Sequence, residues 1–471
     1  MRFNPLRGAA LACALAAATA GAQEPGIPVG PRALALEDAR ALARASNPAT
    51  AQQVNDTRIA ALGVRAAYGE FLPGLNVSNT MGYTAPGEQR VGSVSLGEQP
   101  SVYSSSYSLQ ASYGMSVSKL RGPAVARAEL REAERRSASS AADVRTDVTR
   151  RYIALLQARA RLRQSERDVT RAGDYLRQGT AQAGAGMISP LDLKRSQVNR
   201  SQAEIRRIQA RRAVRTEAAA LGRSLGVALD STVELTTRFE LFEPRFDADD
   251  LVRRALAANP ALLAAEGAVA TARARTSQAR AAYLPSVSLG VYLQGWIQRA
   301  GDIEMLVKQR TGQGTVPPEV EAEIRERVRR ENQGFPFGYN SQPLNASITV
   351  SLPVLQGLGR GVQVERSRAA VENGEARRRT ERLRVYADVH TALANLEAGY
   401  ALALAQVTVR EQAAEELRLA EERLRLGSAH ALAVTDAQTR LSQAEIDEID
   451  AVYAFHLSLA ELEALVGAPL R

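Results

Sequence analysis

The chain has 471 residues with a formal net charge of +9, 24% charged residues, one cysteine and one tryptophan. A lone cysteine excludes an internal disulfide framework. The positive balance raises nucleic acid as a partner, but Arg alternates with Glu and Ala along helix faces, which reads as solvated surface, so no nucleic acid partner is expected.

Residues 1–22 stand apart: Arg2 and Arg7 precede the apolar run Ala9–Ala18 and the small-residue site Ala20-Gly21-Ala22. This is the pattern of a secretory signal peptide with cleavage after Ala22. Cys13 falls inside it, so the mature chain is expected to lack cysteine. Residues 23–33 read as an N-terminal linker. No later stretch approaches the roughly 18 to 20 apolar residues of a membrane-spanning helix, so any entry into a membrane is by strands.

A first repeat spans residues 34–230. The amphipathic text "LALEDARALARASNP" leads to a second helix that stops at "FLPGLNVS" (71–78), where proline disfavours helix in the residue before it. A strand over about 74–83 follows, with Leu75, Val77, Met81 and Tyr83 alternating with Asn76, Ser78, Thr80 and Gly82. A returning strand over about 104–117 places Tyr107, Leu109, Ala111, Tyr113 and Met115 on one side, and Ser, Gln and Gly on the other. Between Pro123 and Pro190 no proline occurs, and Val148, Leu155, Leu162, Val169 and Leu176 recur every seven residues, the spacing of a coiled coil. Some 60 helical residues span roughly 90 Å. The break "QAGAGMISPLDL" (182–193) then predicts a helix hairpin with its tip at about 184–190.

The second repeat, 245–471, has the same parts in the same order. Asn47-Pro48 and "FLPGLNVS" match Asn259-Pro260 and "YLPSVSLG" at one constant offset. "SQAEI" at 201–205 recurs at 442–446, and the same larger offset pairs Gly186 with Gly427 and Gly226 with Gly467. The chain is a tandem duplication, and the step between the two offsets marks an insertion in the second copy. Strands are predicted at about 286–296 and 344–352. The insertion 301–332 lies between them on the extracellular side, where "PPEVEAEIRERVRR" suits a short charged helix; capping the pore, binding lipopolysaccharide phosphates and plain surface decoration all stay open. Helical text resumes to a second tip at about 427–432.

Four strands of about ten residues with one oily face match a transmembrane β-barrel, yet four cannot close. Several chains must contribute: two would give eight strands and three would give twelve, and twelve suits a lumen wide enough for cargo. The fold class is therefore mainly α with a membrane β-barrel: a duplicated protomer with long antiparallel coiled-coil hairpins and four transmembrane strands. Tyr107, Leu109, Tyr113, Met115, Leu289, Val291, Ile348 and Val350 are the expected lipid-facing residues.

From about Leu34 to Gly467 this order of parts resembles the TolC-like outer membrane efflux protein family. The resemblance rests on the duplication, the two Asn-Pro helix ends, the two Leu-Pro strand entries, and the turn "RLGSAHALAVTDAQ", which is similar to the family's Gly-x-x-x-x-hydrophobic-x-x-x-Asp-Ala pattern. It implies a homotrimer with a twelve-stranded barrel in the outer membrane of a Gram-negative bacterium and a helical tunnel in the periplasm. It also implies outer membrane lipid, a periplasmic adaptor protein and an inner-membrane pump of RND, ABC or MFS type as partners. The expected function is the exit duct of a tripartite efflux pump, with type I protein secretion as the alternative. A trimeric adhesin also builds twelve strands from three chains, but keeps its strands together at the carboxyl end, whereas here a long stretch of coiled coil separates the two pairs.

By the turn pattern Asp436 is similar to the family's acid at the tunnel entrance; the companion position is Ala433. Asp192 matches an aspartate that ties the closed tip together, but the tyrosine expected opposite it is Leu424. Asp192 also reads as the N3 acid of a helix capped by Ser189, and Asp436 as a solvated helix residue. Gly184, Gly186, Gly427 and Ser428 suit both turn chemistry and adaptor docking. His390, His430 and His456 have no metal spacing, and no catalytic triad, phosphate loop or nucleophilic cysteine is present, so neither cofactor nor catalysis is expected.

Overall fold

A computed structural model describes residues 28–185, 188–311, 316–355, 357–426, 428 and 431–470. The expected signal peptide, Gly186, Gly427 and His430 lie outside the described residues. The first copy contains β1 (Ala33–Leu34), α1 (Leu36–Ser46), α2 (Pro48–Gly69), β2 (Gly74–Thr84), β3 (Gly87–Val91), β4 (Val94–Gln99), β5 (Val102–Ser116), α3 (Val117–Gly184) and α4 (Pro190–Leu225). After β6 (Glu234–Leu235) the second copy contains α5 (Ala248–Ala258), α6 (Pro260–Ala281), β7 (Ser286–Ala300), α7 (Ile303–Thr311), α8 (Pro318–Gln333), β8 (Asn340–Ser341), β9 (Asn345–Ser351), α9 (Gly359–Arg425) and α10 (Ala431–Val466). Beyond the sequence reading are the short strands β1, β6 and β8, the β3–β4 hairpin, expected as loop, and α7, which makes the insertion a helix pair.

The chain divides into two compact units. One gathers Ala49–Thr146, Phe242–Ala401 and the chain from Leu457 on. Its sheet runs antiparallel in the order β2-β5-β7-β9, with β8 also on β7. Register sets Val77 opposite Leu109, Leu109 opposite Leu293, Tyr113 opposite Leu289, and Leu289 opposite Ile348. Since side chains alternate with period two, this register gathers the apolar positions of all four strands on one face; a slip of one residue would scatter them. Asn79, Ser105 and Arg299 interrupt that face; the Tyr339 hydroxyl bonds the first two, at 2.5 and 3.2 Å, and the Arg299 guanidinium lies over the Tyr103 ring. The Tyr107 ring lies edge-on to Tyr339, with centroids 4.8 Å apart.

No loop separates β5 from α3: the Ser116 hydroxyl accepts the Lys119 N–H at 3.1 Å, capping the helix as the strand ends. Helix α3 is continuous for 68 residues, about 100 Å at 1.5 Å per residue, and Pro123, expected just before the helical text, sits inside it. The insertion is anchored rather than loose. Asn332 accepts from the Ala300 N–H at 3.0 Å and donates to the Ala300 carbonyl at 3.2 Å. Val307 of α7 and Val328 of α8 are buried, and Arg325 clasps both oxygens of Glu304 at 2.9 Å.

The other unit gathers the chain up to Pro48 with Asp147–Leu241 and Leu402–His456. Its core includes Val148, Tyr152, Leu155, Ala403 and Leu417. The Tyr152 hydroxyl donates to the Leu34 carbonyl at 2.9 Å, pinning the start of the first repeat to α3. The seven-residue repeat holds through Leu155 but then drifts: Leu162 and Val169 are only partly buried, and Gln164, Ser165 and Asp168 occupy the interior instead.

Each copy contains the same corner. The Asn47 amide donates to the Ser224 carbonyl at 2.7 Å, and the Asn259 amide to the Leu465 carbonyl at 3.1 Å. Both acceptors lie two residues before a left-handed glycine, Gly226 at φ 77° and Gly467 at φ 76°, that ends the return helix. A Cβ on Gly226 would lie 2.3 Å from the Ser46 carbonyl oxygen, whereas one on Gly467 would lie 3.3 Å from that of Ala258. Gly467→Ala is expected to cost about 1–2 kcal/mol for the left-handed backbone alone. Gly226→Ala adds a backbone clash and should cost roughly 3 kcal/mol or more. Thermal unfolding followed by circular dichroism would refute this if the two variants lose equal stability.

Candidate channel entrance at the helical hairpin ends

Sequence places the candidate entrance where α3 meets α4 and α9 meets α10. Ser189 caps α4: its Oγ accepts the Asp192 N–H at 3.2 Å and its hydroxyl donates to the Asp192 carboxylate at 2.7 Å, with Pro190 in the first turn. The first bond caps the helix, and the second, between the two side chains, sets the carboxylate at the positive end of the helix dipole. Arg195 approaches the other Asp192 oxygen at 3.2 Å. Helix α9 is closed by Ser428, whose N–H and hydroxyl both donate to the Arg423 carbonyl, at 2.9 and 3.1 Å.

Asp436 is exposed on α10, on the face opposite Val434, Ala437 and Leu441. Those three pack with Ala413 and Leu417 of α9, and Leu424 and Tyr175 join the same cluster. Among the described residues Asp436 has no hydrogen bond or ion pair, so no bond joins it to Asp192. Leu424, standing where the resemblance expects a tyrosine, packs but offers no hydroxyl.

The link between the hairpins is made by other residues. The Tyr175 hydroxyl of α3 donates to the Glu421 carboxylate of α9 at 2.6 Å. Burial, and then the bond to Glu421, push this phenol far above its ordinary range, so it stays a donor at any physiological pH. Asn199 of α4 donates to Gln438 of α10 at 3.3 Å. Farther along α3 a polar knot fills the interior where the apolar repeat drifts. Asp168, almost fully buried, accepts from Ser442 at 2.5 Å, from Arg171 at 2.5 Å and from Gln164 at 3.2 Å. Arg171 and Gln164 also bind Glu445. Burial works against the charge of Arg171, but its bonds to Glu445 and Asp168 outweigh it and hold the guanidinium above its usual value. Next along the helix, Asp450 accepts from Arg161 at 2.7 Å and from Gln157 at 2.9 Å. Sequence reading missed Tyr175, Glu421 and the knot. The usable signal is the spacing of Gln164, Asp168 and Arg171 at i, i+4 and i+7, one helix face carrying polar residues where the repeat asks for apolar ones.

A four-stranded sheet with one apolar face and two free edges, whose β5 runs directly into the 68-residue α3, is the architecture of the outer membrane channels to which the chain is similar in fold. The chain is similar in fold to a membrane protein from Pseudomonas aeruginosa (TM-score 0.71, 19% identity, covering 94% of this chain and 91% of that one). It is similar to the CmeC outer membrane channel of Campylobacter jejuni (TM-score 0.71, 14% identity, 92% and 85% covered) and to the open state of the MtrE outer membrane channel of Neisseria gonorrhoeae (TM-score 0.64, 18% identity, 93% and 89% covered). No curated protein matches the chain. Residues 251–468 match the family described as outer membrane efflux protein. The second repeat thus carries the family's sequence pattern and the whole chain carries the fold, which bears out the TolC-like resemblance and with it the place in the outer membrane.

Tyr175→Phe removes the bond to Glu421 and is expected to cost about 1–2 kcal/mol, because a half-buried carboxylate loses its donor. Asp192→Ala, at an exposed cap, should cost under about 1 kcal/mol. Urea unfolding of the two variants checks the order, and a larger loss at Asp192 would contradict it.

Proposed function

We propose that this protein is the exit duct of a tripartite efflux pump, a homotrimer that conducts small molecules passively from periplasm to exterior. The observation that carries the reading is the sheet: one face apolar, two edges open, at β2 and β9. An open edge in hydrocarbon leaves backbone groups unsatisfied at several kcal/mol each, so neighbouring copies must supply the next strand. Three copies close twelve strands. Helix α2 supports the same reading, since none of its residues is buried and it exposes Val54, Ile59 and Leu62, an apolar surface that a neighbouring copy would cover.

In this reading residues 1–22 are a cleaved leader. Tyr107, Leu109, Tyr113, Met115, Leu289, Val291, Ile348 and Val350 meet outer membrane lipid, and the opposite face lines the bore. The 301–332 insertion stands at the extracellular rim. Gly184, Gly186, Gly427 and Ser428 form the periplasmic tip that docks an adaptor, and an inner-membrane pump supplies the energy. Asp436 in three copies makes a carboxylate ring that favours cations, as charged rings in pores do. The Tyr175–Glu421 bond ties α3 to α9 at the entrance, and Asp192 secures the start of α4 there.

Cys13 is the only cysteine of the sequence, so Ser428→Cys introduces a unique thiol into a chain whose leader has been removed. Cross-linking in living cells, with the adduct identified by mass spectrometry, is expected to capture a periplasmic adaptor. Labelling by a membrane-impermeant reagent added outside the cells, with no periplasmic adduct, would invert the topology and end this reading.

A further inference from the structure

The face of the sheet opposite the apolar one is chemically uniform with one exception. In register across the strands it carries Gly74, Ser112, Gly290 and Ser347 at one level, Asn76, Gln110, Tyr292 and Asn345 at the next, and Ser78, Ser108 and Gln294 above that. Then come Thr80, Ser106 and Trp296. Among these positions there is no charged residue, only hydroxyls, amides and glycine apart from the two aromatic side chains of β7.

Those two rings lack the explanation available to the other aromatic residues of the sheet. Tyr83, Tyr103 and Tyr107 lie on the apolar face and pack against rings: Tyr83 against Tyr103 at 4.9 Å, Tyr103 against Phe335 at 6.2 Å, Tyr107 against Tyr339. Tyr113 on the same face sits under the Lys119 ammonium at 5.8 Å. Tyr292 and Trp296 make no ring or cation contact among the described residues and are 38% and 47% exposed. The Tyr292 hydroxyl donates to Gln294 at 2.9 Å, which ties that side chain down along the strand. Leaving large apolar rings bare on a polar surface forfeits the burial that normally justifies them. What they offer is a π face, suited to stacking on another planar ring.

We infer that Tyr292 and Trp296 form a stacking track for planar aromatic cargo inside the collar. The inference rests on the reading that this face lines the bore. The two rings stand four positions apart, about 13 Å along an extended strand, so a fused-ring solute reaches one ring as it leaves the other. With no charge on the strands beside them, the track takes planar cations and planar anions alike and passes over non-aromatic solutes.

Trp296 is the only tryptophan of the chain, so its fluorescence reports on this position without a label. In lipid nanodiscs, emission from the purified protein is expected to be quenched by acrylamide from the water and unaffected by brominated lipid chains. The reverse result would place Trp296 against lipid and overturn the bore assignment itself. With that assignment in place, proflavine and naphthalene sulfonate should each quench Trp296 saturably, while tetraethylammonium should not. Tyr292→Ala is expected to weaken the apparent affinity about threefold to tenfold, and Tyr292→Phe, which keeps the ring, to restore it. Quenching that never saturates, or an unchanged affinity in Tyr292→Ala, would overturn the track while leaving the bore intact.

Discussion

In hydrocarbon a sheet edge has nowhere to place its N–H and C=O groups, and everything else in this chain answers to that constraint. The order β2-β5-β7-β9 leaves two such edges, and the duplication is how one chain arrives at four strands. Each copy supplies one up-and-down pair, β2 with β5 and β7 with β9, and β5 pairs β7 from end to end to join the copies. Because that central pairing is the longest, it fixes the parity of the whole sheet. Its register decides at once which side is oily, and the outer strands inherit the choice.

The helices are bound by a different requirement, that the same turn be made twice. A chain that leaves the sheet on α3 or α9 must return on α4 or α10 and stop, and in each copy the stop is a left-handed glycine against an Asn-Pro corner. The asparagine does two jobs at its corner. In the second copy its Oδ1 accepts the Ala261 and Leu262 N–H groups at 3.0 and 3.1 Å, capping α6, while its amide seals the end of α10. A proline after it presets the first helical turn without wasting a donor. The repetition of Asn-Pro and glycine in the sequence is therefore the repetition of one hydrogen-bonded joint.

What was legible in the sequence is what has a short period. Strand alternation, the proline punctuation and the paired glycines are all local, and from them came the number of long strands, their oily side and the two hairpins. The β3–β4 hairpin was missed because its alternation is weak, although Gly92, at φ 63°, is the residue a two-residue turn demands. The heptad reading of α3 failed past Leu155 because the interior there is held by charge and amide rather than by apolar packing. Asp168 and Ser442 are 274 residues apart, and Tyr175 and Glu421 are 246 apart. No periodicity within one helix announces a partner on another, so contacts of that kind appear only once the helices are placed side by side.

The charge that first invites nucleic acid is likewise balanced locally. Arg136 pairs with Glu132, Arg254 with Asp250, Arg384 with Glu381 and Asp388, and Arg418 with Glu415 and Glu422, each within one or two turns of the same helix. Exposed pairs of this type add little stability, but they cancel the field that a string of arginines would otherwise project. The strands carry no charge on their polar face. Against that neutral background a single unpaired, exposed carboxylate such as Asp436 weighs heavily, since no arginine is bonded to it among the described residues. The proposed duct thus separates two kinds of discrimination along one chain. In that reading the sign of charge is read at the hairpin ends, and shape at the sheet, whose polar face offers rings, hydroxyls and amides.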